Sequence, residues 1–333
     1  MLIKLSVRGQ WLIDTKSHRK VHDQPTPRIG GIAIVLAFFL STHSHWFLAL
    51  EVDLTQITSF SLFSFFLSVL LIFGVGLLDD FINLNGTTKL LLQIFVSVFV
   101  YFKVAQITNI YLPYVGALKL KDLASFVLTI FWLVGITNTQ NLIDGIDGLC
   151  TGTAIIANLA LAFIAFHTDQ KLISLILILL SSSALAFLRF NWFEAKSFVG
   201  DSGAYLYGLT LAVCSILICY NSQIHSLIFT PVILLGLQIA DTTYAILRRL
   251  IKGHPLFAAD RGHLHHKLLD LGFSKVQTVL ILYAVSLTYA CGAISFMFVS
   301  VKIAFWVSLF FVLSTFILVY RINNLVNSEL GVE

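Results

Sequence analysis

Apolar stretches of about 20 residues recur along the whole chain and are separated by short polar segments. Each stretch can cross the hydrocarbon core of a bilayer as a helix, because only helices and closed barrels satisfy their backbone groups in lipid. The pattern predicts ten spans, at residues 29–50, 57–78, 88–105, 124–143, 150–167, 171–190, 203–220, 225–247, 276–299 and 302–321. We therefore expect an all-α, polytopic membrane bundle that forms one transmembrane domain over residues 1–333.

The lysines and arginines are distributed unevenly between these spans. When successive loops are assigned to alternate sides, 16 of the 21 basic residues fall on the side of the N-terminal segment. Basic residues concentrate in cytoplasmic loops. The distribution therefore predicts a multi-pass protein of the bacterial cytoplasmic (inner) membrane, with both termini and the polar loop at 248–275 in the cytoplasm.

Composition narrows the class of protein further. The chain is 58% hydrophobic and 11% charged, well below the charged fraction of a soluble domain. Its net charge of +4 is spread over separate loops, which argues against a nucleic-acid partner. The four cysteines lie in or beside apolar stretches without the spacing of a metal site or disulfide framework.

Acidic residues gather at the cytoplasmic ends of the predicted spans. The aspartates in these positions are Asp79, Asp80, Asp144, Asp147, Asp201 and Asp260. An ion or proton pathway would need acids inside the spans, and the only acid there is Asp241, which lies toward the end of a span, as does the basic Lys103. The distribution therefore indicates a site at the membrane surface. A secondary transporter, the main alternative outside enzymes, would also show internal repeats and spans broken by glycine or proline. Neither feature is evident in the sequence.

Two of the polar segments carry oxygen ligands next to glycines. Asn141, Asp144 and Asp147 are spaced by three, so one helical turn would place them on one face. Asp201 lies in a Gly-Asp-Ser-Gly sequence that opens the seventh span, where backbone N–H groups can bind an anion. Oxygen ligands of this kind favour Mg²⁺, Mn²⁺ or Ca²⁺ over zinc.

A third segment is basic. The long cytoplasmic loop contains Arg261-Gly-His263-Leu-His265-His266-Lys267. The spacing of the histidines does not suit a zinc site, whereas Arg261, His263 and Lys267 beside a glycine are typical of phosphate binding. Acids that hold a hard cation, combined with basic groups that bind phosphates, are the groups that phosphoryl transfer requires.

Taken in order, the motifs resemble those of the polyprenyl-phosphate N-acetylhexosamine-1-phosphate transferases (glycosyltransferase family 4). The resemblance runs almost from end to end of the chain. It rests on Arg19 to Gly31, Asp79-Asp80, Lys89 to Gln93, Asn138 to Leu149, Asn191, Phe198 to Gly203 and Asp260 to His266.

The resemblance implies transfer of a sugar 1-phosphate from a UDP-sugar to undecaprenyl phosphate, with release of UMP and with Mg²⁺ or Mn²⁺ as cofactor. It implies Asp201 and Asn141 as metal ligands and Asp79, Asp80, Asp201 and His263 as catalytic residues, with Asp79 acting on the lipid phosphate. It further implies a nucleotide pocket formed by Gly145, Asp147, Asn191 and Phe198, in which the ring of Phe198 stacks on uracil. The implied substrate-binding residues are Lys89, Asn138, Asp144, Gly145, Asp147, Asn191, Phe198, Arg261, His265 and His266.

The branch of the family can also be inferred. The muramoyl-pentapeptide branch usually has three consecutive histidines followed by Phe-Glu, whereas this chain has His263-Leu-His265-His266-Lys267. The sequence is therefore similar to the WecA/TagO-like branch, which implies UDP-N-acetylglucosamine or a related donor and a product that initiates a cell-envelope polysaccharide. A phospho-N-acetylmuramoyl-pentapeptide transferase is the alternative within the family. Relatives also imply a homodimer.

Two features depart from the family pattern. Members usually have one more span before the Arg-Lys-x-His segment, so we expect either a truncated start or an enzyme that works with ten spans. Asp14 is followed by Thr-Lys16, without the proline that is usual in the family. These departures keep open a third hypothesis, an inactive truncated paralogue, although the candidate acids are intact.

Overall fold

The computed structural model of the protein describes residues 11–14, 26–47, 62–222, 224–251 and 262–329, together with Ile3, Ser6, Gly9 and Gly253. Twelve α-helices form within these ranges. They are α1 Gly30–Phe47, α2 Leu62–Ile82, α3 Gly86–Lys103, α4 Asp122–Leu142, α5 Leu149–His167, α6 Lys171–Asn191, α7 Gly200–Asn221, α8 Thr230–Leu234, α9 Gly236–Ile251, α10 Leu264–Asp270, α11 Lys275–Ser295 and α12 Val301–Glu329.

The helical membrane bundle expected from the sequence is confirmed. Among the described residues, eight helices are long and apolar enough to cross a membrane, and there are nine if one bent pair is a single span. The first predicted span corresponds to α1, whose apolar part, Gly30–His43, is shorter than the others. The chain is therefore a multi-pass membrane protein, and each of the ten apolar stretches contains a helix or a bent helical segment.

The eighth predicted span is not one continuous helix. It consists of a 3₁₀ turn at His225–Phe229, then α8, then α9, and the two halves meet at an angle of 59°. Pro231 lies in the first turn of α8 and Gly236 starts α9, and proline and glycine are the usual causes of sharp helix bends. The expectation that no span is broken by glycine or proline was therefore wrong, and it no longer argues against a transporter.

Helix α7 is the centre of the bundle, and nearly all of its residues are buried. It packs against α1, α2, α4 and α5. Small residues allow this close packing, as they commonly do between membrane helices. A Cβ atom at Gly76 of α2 would lie 2.5 Å from the Cα atom of Ser202. The first turn of α7 is therefore fixed against α2, and with it the position of Asp201.

Two short antiparallel pairs of strands accompany the helices. Strands β1 (Ile13–Asp14) and β2 (Thr26–Pro27) pair just before α1. Strands β3 (Asn109–Leu112) and β4 (Gly116–Lys119) form a hairpin between α3 and α4. The hairpin joins the end of α3 to the start of α4, whereas the candidate site lies at the opposite ends of these two helices.

Candidate active site

The aspartate pair at the end of α2 holds the first turn of α7. The carboxylate of Asp80 accepts the backbone N–H groups of Asp201, at 2.9 Å, and of Ser202, at 3.0 Å. Gly200 permits this approach: its φ is +72°, and a Cβ atom there would lie 2.7 Å from Asp80 Oδ2. The sequence predicted that the N–H groups at this helix start bind an anion, and for these two groups the anionic partner is the carboxylate of Asp80.

Lys89 lies between two carboxylates. The residue is placed in the first turn of α3, which Asn85 caps by accepting the Thr88 N–H at 2.8 Å. Its Nζ atom is 2.5 Å from Asp79 Oδ2 and 3.6 Å from Asp201 Oδ2. Lys89 neutralises the charge of the two acids. Because its side chain is only partly buried, it also faces the space in front of them.

The other bonds of Asp79 leave little of its carboxylate free. Its Oδ1 accepts the Leu84 N–H at 2.9 Å. Its Oδ2 accepts the Tyr205 hydroxyl at 3.3 Å in addition to Lys89. Asp79 is also almost completely buried. This geometry favours a role in orienting Lys89 over direct attack on a substrate.

Helix α4 supplies two amides to the same region. Asn141 Nδ2 donates to Asp201 Oδ1 at 2.6 Å. Asn138 and Gln93 bond reciprocally, at 2.6 Å and 3.4 Å, and Asn138 also donates to the Val134 carbonyl. The structure therefore brings together the predicted residues of α2, α3, α4 and α7. We call Asp79, Asp80, Lys89, Asn141 and Asp201 the acidic centre.

The turn after α4 differs from the sequence prediction. Helix α4 ends at Leu142, so Asn141 is helical whereas Asp144 and Asp147 lie in the following turns. The expected single helical face is wrong here, because Gly145 and Gly148 favour turns. The Asp147 carboxylate accepts the Ala195 N–H at 3.3 Å.

Asp144 nevertheless belongs to the electrostatic environment of the acidic centre. Burial raises the pKa of its carboxyl group well above the usual value. The negative charge of Asp201 raises this pKa further, and the positive charge of Arg28 opposes the rise. Negative charge is therefore in excess in this part of the protein.

The residues predicted to bind the nucleotide tie two loops together. Asn191 is buried; it accepts the Thr151 hydroxyl at 3.0 Å and donates to the Ser197 carbonyl at 3.1 Å. Phe198 is partly buried, and its backbone pairs with Pro27 and Gly30. The stacking of Phe198 on uracil stays a prediction.

His263, His265 and His266 form a second group, which we call the histidine wall. The rings of His263 and His265 are parallel, with centroids 5.9 Å apart. Burial lowers the pKa of His265 well below the usual value, and the neighbouring histidines lower it further. A Cβ atom at Gly145 would overlap the His265 ring, so only glycine allows this contact. Arg261, the fourth predicted residue of this loop, lies outside the described residues.

A cavity of about 760 Å³ joins the two groups. Lys89, Asn138, Asn141, Gly145 and the histidine wall line it, as does Arg249 of α9. The remaining lining is largely apolar and comes from α3, α4, α9 and the segment before α3: Leu84, Leu90, Phe131, Trp132, Ile136, Leu142, Ile239 and Ile246. One cavity thus combines a polar end with an apolar wall.

Comparison with known proteins identifies the family. Residues 62–219 match the family model described as glycosyl transferase family 4. The chain is 32% identical to the probable undecaprenyl-phosphate N-acetylglucosaminyl 1-phosphate transferase of Bacillus subtilis over 320 residues. These residues cover 95% of this chain and 86% of the relative. The chain belongs to glycosyl transferase family 4. It is therefore a membrane-embedded phosphosugar transferase.

Two other relatives define the range of this family. The decaprenyl-phosphate N-acetylglucosaminephosphotransferase of Mycobacterium tuberculosis is 34% identical over 305 residues, which cover 84% of this chain and 74% of the relative. The phospho-N-acetylmuramoyl-pentapeptide-transferase of Bacillus pumilus is 31% identical over 296 residues, which cover 83% of this chain and 84% of the relative. Similarity therefore extends to enzymes whose names specify different sugars.

Four residues around the site of this family 4 transferase were missed from the sequence. Tyr205 and Gln93 lie four residues after Asp201 and Lys89, so helical periodicity alone could have identified them. Arg249 lines the cavity, and its position in a basic pair gave no sign of this. Asp241 is a buried acid in a membrane helix, which is a recognised signal of function.

Asp201 is surrounded by few described side chains that could bind a hard cation. Within the described ranges, no group of three or more His, Cys, Asp or Glu side chains is placed to hold a metal ion. Asp201 and Asn141 do place two possible oxygen ligands together, since rotation of the Asn141 amide would exchange its donor for its oxygen. Mg²⁺ commonly uses one or two protein ligands and completes its shell with substrate phosphates and water. The residues present fit that mode of binding.

Proposed function

We propose that this protein transfers an N-acetylhexosamine 1-phosphate, most simply N-acetylglucosamine 1-phosphate, from a UDP-sugar to undecaprenyl phosphate. The observation that carries this proposal is the combination of polar and apolar walls in one cavity. A polyprenyl phosphate requires both, because its phosphate needs cationic partners and its hydrocarbon chain needs an apolar groove. The transferases of Bacillus subtilis and Mycobacterium tuberculosis carry polyprenyl phosphates in their names.

The basic lining is suited to several phosphates at once. Lys89, Arg249 and the histidine wall surround the polar end of the cavity. Charge-assisted hydrogen bonds from such groups bind phosphate oxygens strongly and stabilise the negative charge that develops during transfer. The donor diphosphate and the acceptor phosphate would lie at this end, and the prenyl chain would extend along the apolar lining from α4 and α9.

The chemistry is a single in-line displacement. An oxygen of the lipid phosphate attacks the sugar-bearing phosphorus of the donor. The bond from that phosphorus to the bridging oxygen breaks, and UMP leaves with the bond's electrons. A lipid phosphate is already an anion near neutral pH, so the attack needs orientation rather than a base. The bonds from Asp79 to Leu84, Lys89 and Tyr205 support this orienting role.

Mg²⁺, or Mn²⁺ in its place, is the cofactor that we propose. Asp201 and Asn141 would hold it together with the donor diphosphate, and it would supply neutralisation of phosphate charge. Support comes from the 2.6 Å contact between the two side chains and from the excess of acids around Asp201. Lys89, which lies 3.6 Å from the other carboxylate oxygen of Asp201, would orient the acceptor phosphate.

The donor sugar and the cellular context are part of the same proposal. The separated histidines, His263-Leu-His265-His266, favour N-acetylglucosamine over muramoyl-pentapeptide, which is the second candidate because of the similarity to the Bacillus pumilus enzyme. The basic residues of the connecting loops support a site on the cytoplasmic face of the bacterial cytoplasmic membrane. The product would begin a cell-envelope polysaccharide, and the homodimer stays a prediction.

The experiment is a measurement of UMP release by the purified protein in detergent. The acceptor is undecaprenyl phosphate, and the donors are a panel of UDP-N-acetylhexosamines and UDP-N-acetylmuramoyl-pentapeptide, each with Mg²⁺. We expect release with one UDP-N-acetylhexosamine and loss of release in EDTA, restored by added Mg²⁺. Release with muramoyl-pentapeptide alone would select the second candidate. No release with any donor, from protein that is monodisperse and folded, would contradict the proposal.

A further inference from the structure

Asp241 is a carboxylate buried in a membrane helix outside the acidic centre. It lies in α9, after the bend of the eighth span, and only 7% of the residue is exposed. A buried carboxylate is costly unless hydrogen bonds or a cation compensate for the lost water. Its partners therefore indicate what the residue does.

Both oxygens of Asp241 bond to the start of the histidine wall. Oδ2 lies 2.9 Å from His263 Nδ1, and Oδ1 accepts the backbone N–H of Leu264 at 2.8 Å. His263 is the N-cap residue of α10, and its own side chain makes no capping bond. Asp241 thus supplies, from another helix, the acceptor that the first turn of α10 needs.

The bond to His263 also fixes the state of its ring. An ionised carboxylate only accepts hydrogen bonds, so the proton must lie on Nδ1. Nε2 is then the ring atom left for a ligand in the cavity, which His263 lines.

We infer that Asp241 is a positioning residue for the transfer reaction: it sets the tautomer and orientation of His263 and anchors α10 beside the cavity. The inference rests on the proposed function, because His263 is assigned there to the phosphates. Asp241 does not line the cavity, so it acts through His263 and not on the substrate directly.

Two substitutions separate the two parts of this role. In Asp241→Asn, the side-chain oxygen can still accept the Leu264 N–H, but the amide donates to His263 Nδ1 and places the proton on Nε2. In Asp241→Ala, both bonds are lost. The matched control is Asp270→Asn, because Asp270 is an exposed carboxylate at the far end of α10.

Steady-state UMP release tests the tautomer. We expect Asp241→Asn to lower kcat by at least about 10- to 100-fold, the range for loss of the carboxylate that orients a metal-bound histidine. KM for the donor should stay within about threefold of the wild-type value, because the lost interaction stabilises the transition state and not the bound substrate. In a His263→Ala background, Asp241→Asn should lower activity no further, because the two residues act as one unit. A wild-type kcat in Asp241→Asn would overturn the inference. So would a double variant in which Asp241→Asn lowers kcat as much in the His263→Ala background as it does in the wild type.

Hydrogen–deuterium exchange tests the anchor without reference to activity. Peptides that cover residues 262–270 should exchange faster in Asp241→Ala than in the wild type, and at the wild-type rate in Asp241→Asn and Asp270→Asn. Unchanged exchange in Asp241→Ala would overturn the anchoring role. If the wild-type protein releases no UMP with any donor, the proposed function fails, whereas the exchange result still decides whether Asp241 holds α10.

Discussion

The acidic centre, through Lys89 and Asn141, and the histidine wall face the same cavity but are held in place differently. The residues of the acidic centre lie at the ends of four long helices, α2, α3, α4 and α7, whose apolar faces pack over most of their length. The histidine wall lies on α10, which has only seven residues and depends on Asp241 of a different helix. A helix of that length has little stability of its own.

The two groups illustrate two ways in which a protein can position side chains precisely. In the acidic centre, membrane packing fixes the backbone, so charges of opposite sign can be placed within 4 Å of each other. In the histidine wall, one buried carboxylate fixes both a ring and a helix start. Substitutions in the first group, apart from Asp80 with its bonds to the backbone of α7, should therefore affect chemistry with little change of fold, whereas those around the second should affect both.

Asp201→Asn is expected to have the largest effect. The substitution removes the carboxylate charge that we propose holds Mg²⁺, and it weakens the attraction to Lys89. We therefore expect kcat to fall by about 1,000-fold or more, at the upper end of the usual range for the loss of one electrostatic group. The protein should still elute as a monodisperse peak in detergent. UMP release is the measurement, and Asp122→Asn, at the opposite end of α4, is the matched control. Near-normal turnover in Asp201→Asn would remove the metal assignment.

Lys89→Met should come next. It leaves Asp79 and Asp201 without the cation that lies between them, and it removes a phosphate partner from the cavity. We expect kcat to fall by about 100-fold. Lys103→Met, at the other end of α3, should keep wild-type activity because Lys103 is exposed and distant from the cavity. Equal activity of the two variants would refute the role of Lys89.

Asp80→Ala probes the packing of the acidic centre. The change leaves the N–H groups of Asp201 and Ser202 without their acceptor, a loss of about 1–3 kcal/mol at the start of α7. We expect a lower thermal midpoint in detergent. We also expect about tenfold lower kcat, a barrier higher by about 1.4 kcal/mol, because Asp201 is no longer held in place. Asp80→Asn, which keeps one acceptor, should lie between Ala and wild type. A loss of activity with an unchanged midpoint would instead indicate direct catalysis by Asp80.

Tyr283→Phe should give the smallest effect. The Tyr283 hydroxyl donates to the Gly148 carbonyl at 2.5 Å, next to the predicted nucleotide residue Asp147. Its removal should cost about 1 kcal/mol and raise KM for the UDP-sugar by no more than about fivefold, with kcat little changed. Tyr320→Phe, an exposed position in α12, serves as control. A large fall in kcat would show that the turn at 143–148 takes part in the chemistry.

The sequence alone determined the class of protein, most of the helices and the residues of the acidic centre. Apolar length dictates a helix in lipid whatever its neighbours are, so the spans could be predicted locally. Because successive loops lie on alternate sides of the membrane, the ends of the spans that carry motifs could be assigned to one side. The motifs at those ends identified Asp79, Lys89, Asn141 and Asp201 as one group. Helical spacing also held the signals for Gln93 and Tyr205, although these were missed.

Only the tertiary structure decided how these groups act on one another. It showed that Asp80 occupies the N–H groups at the start of α7, that the turn after α4 separates Asp144 and Asp147 from its helical face, and that the eighth span bends. It also paired Asp241 with His263, which is 22 residues away across a polar loop. No periodicity encodes such a contact, because the packing of α9 against the rest of the bundle sets its geometry.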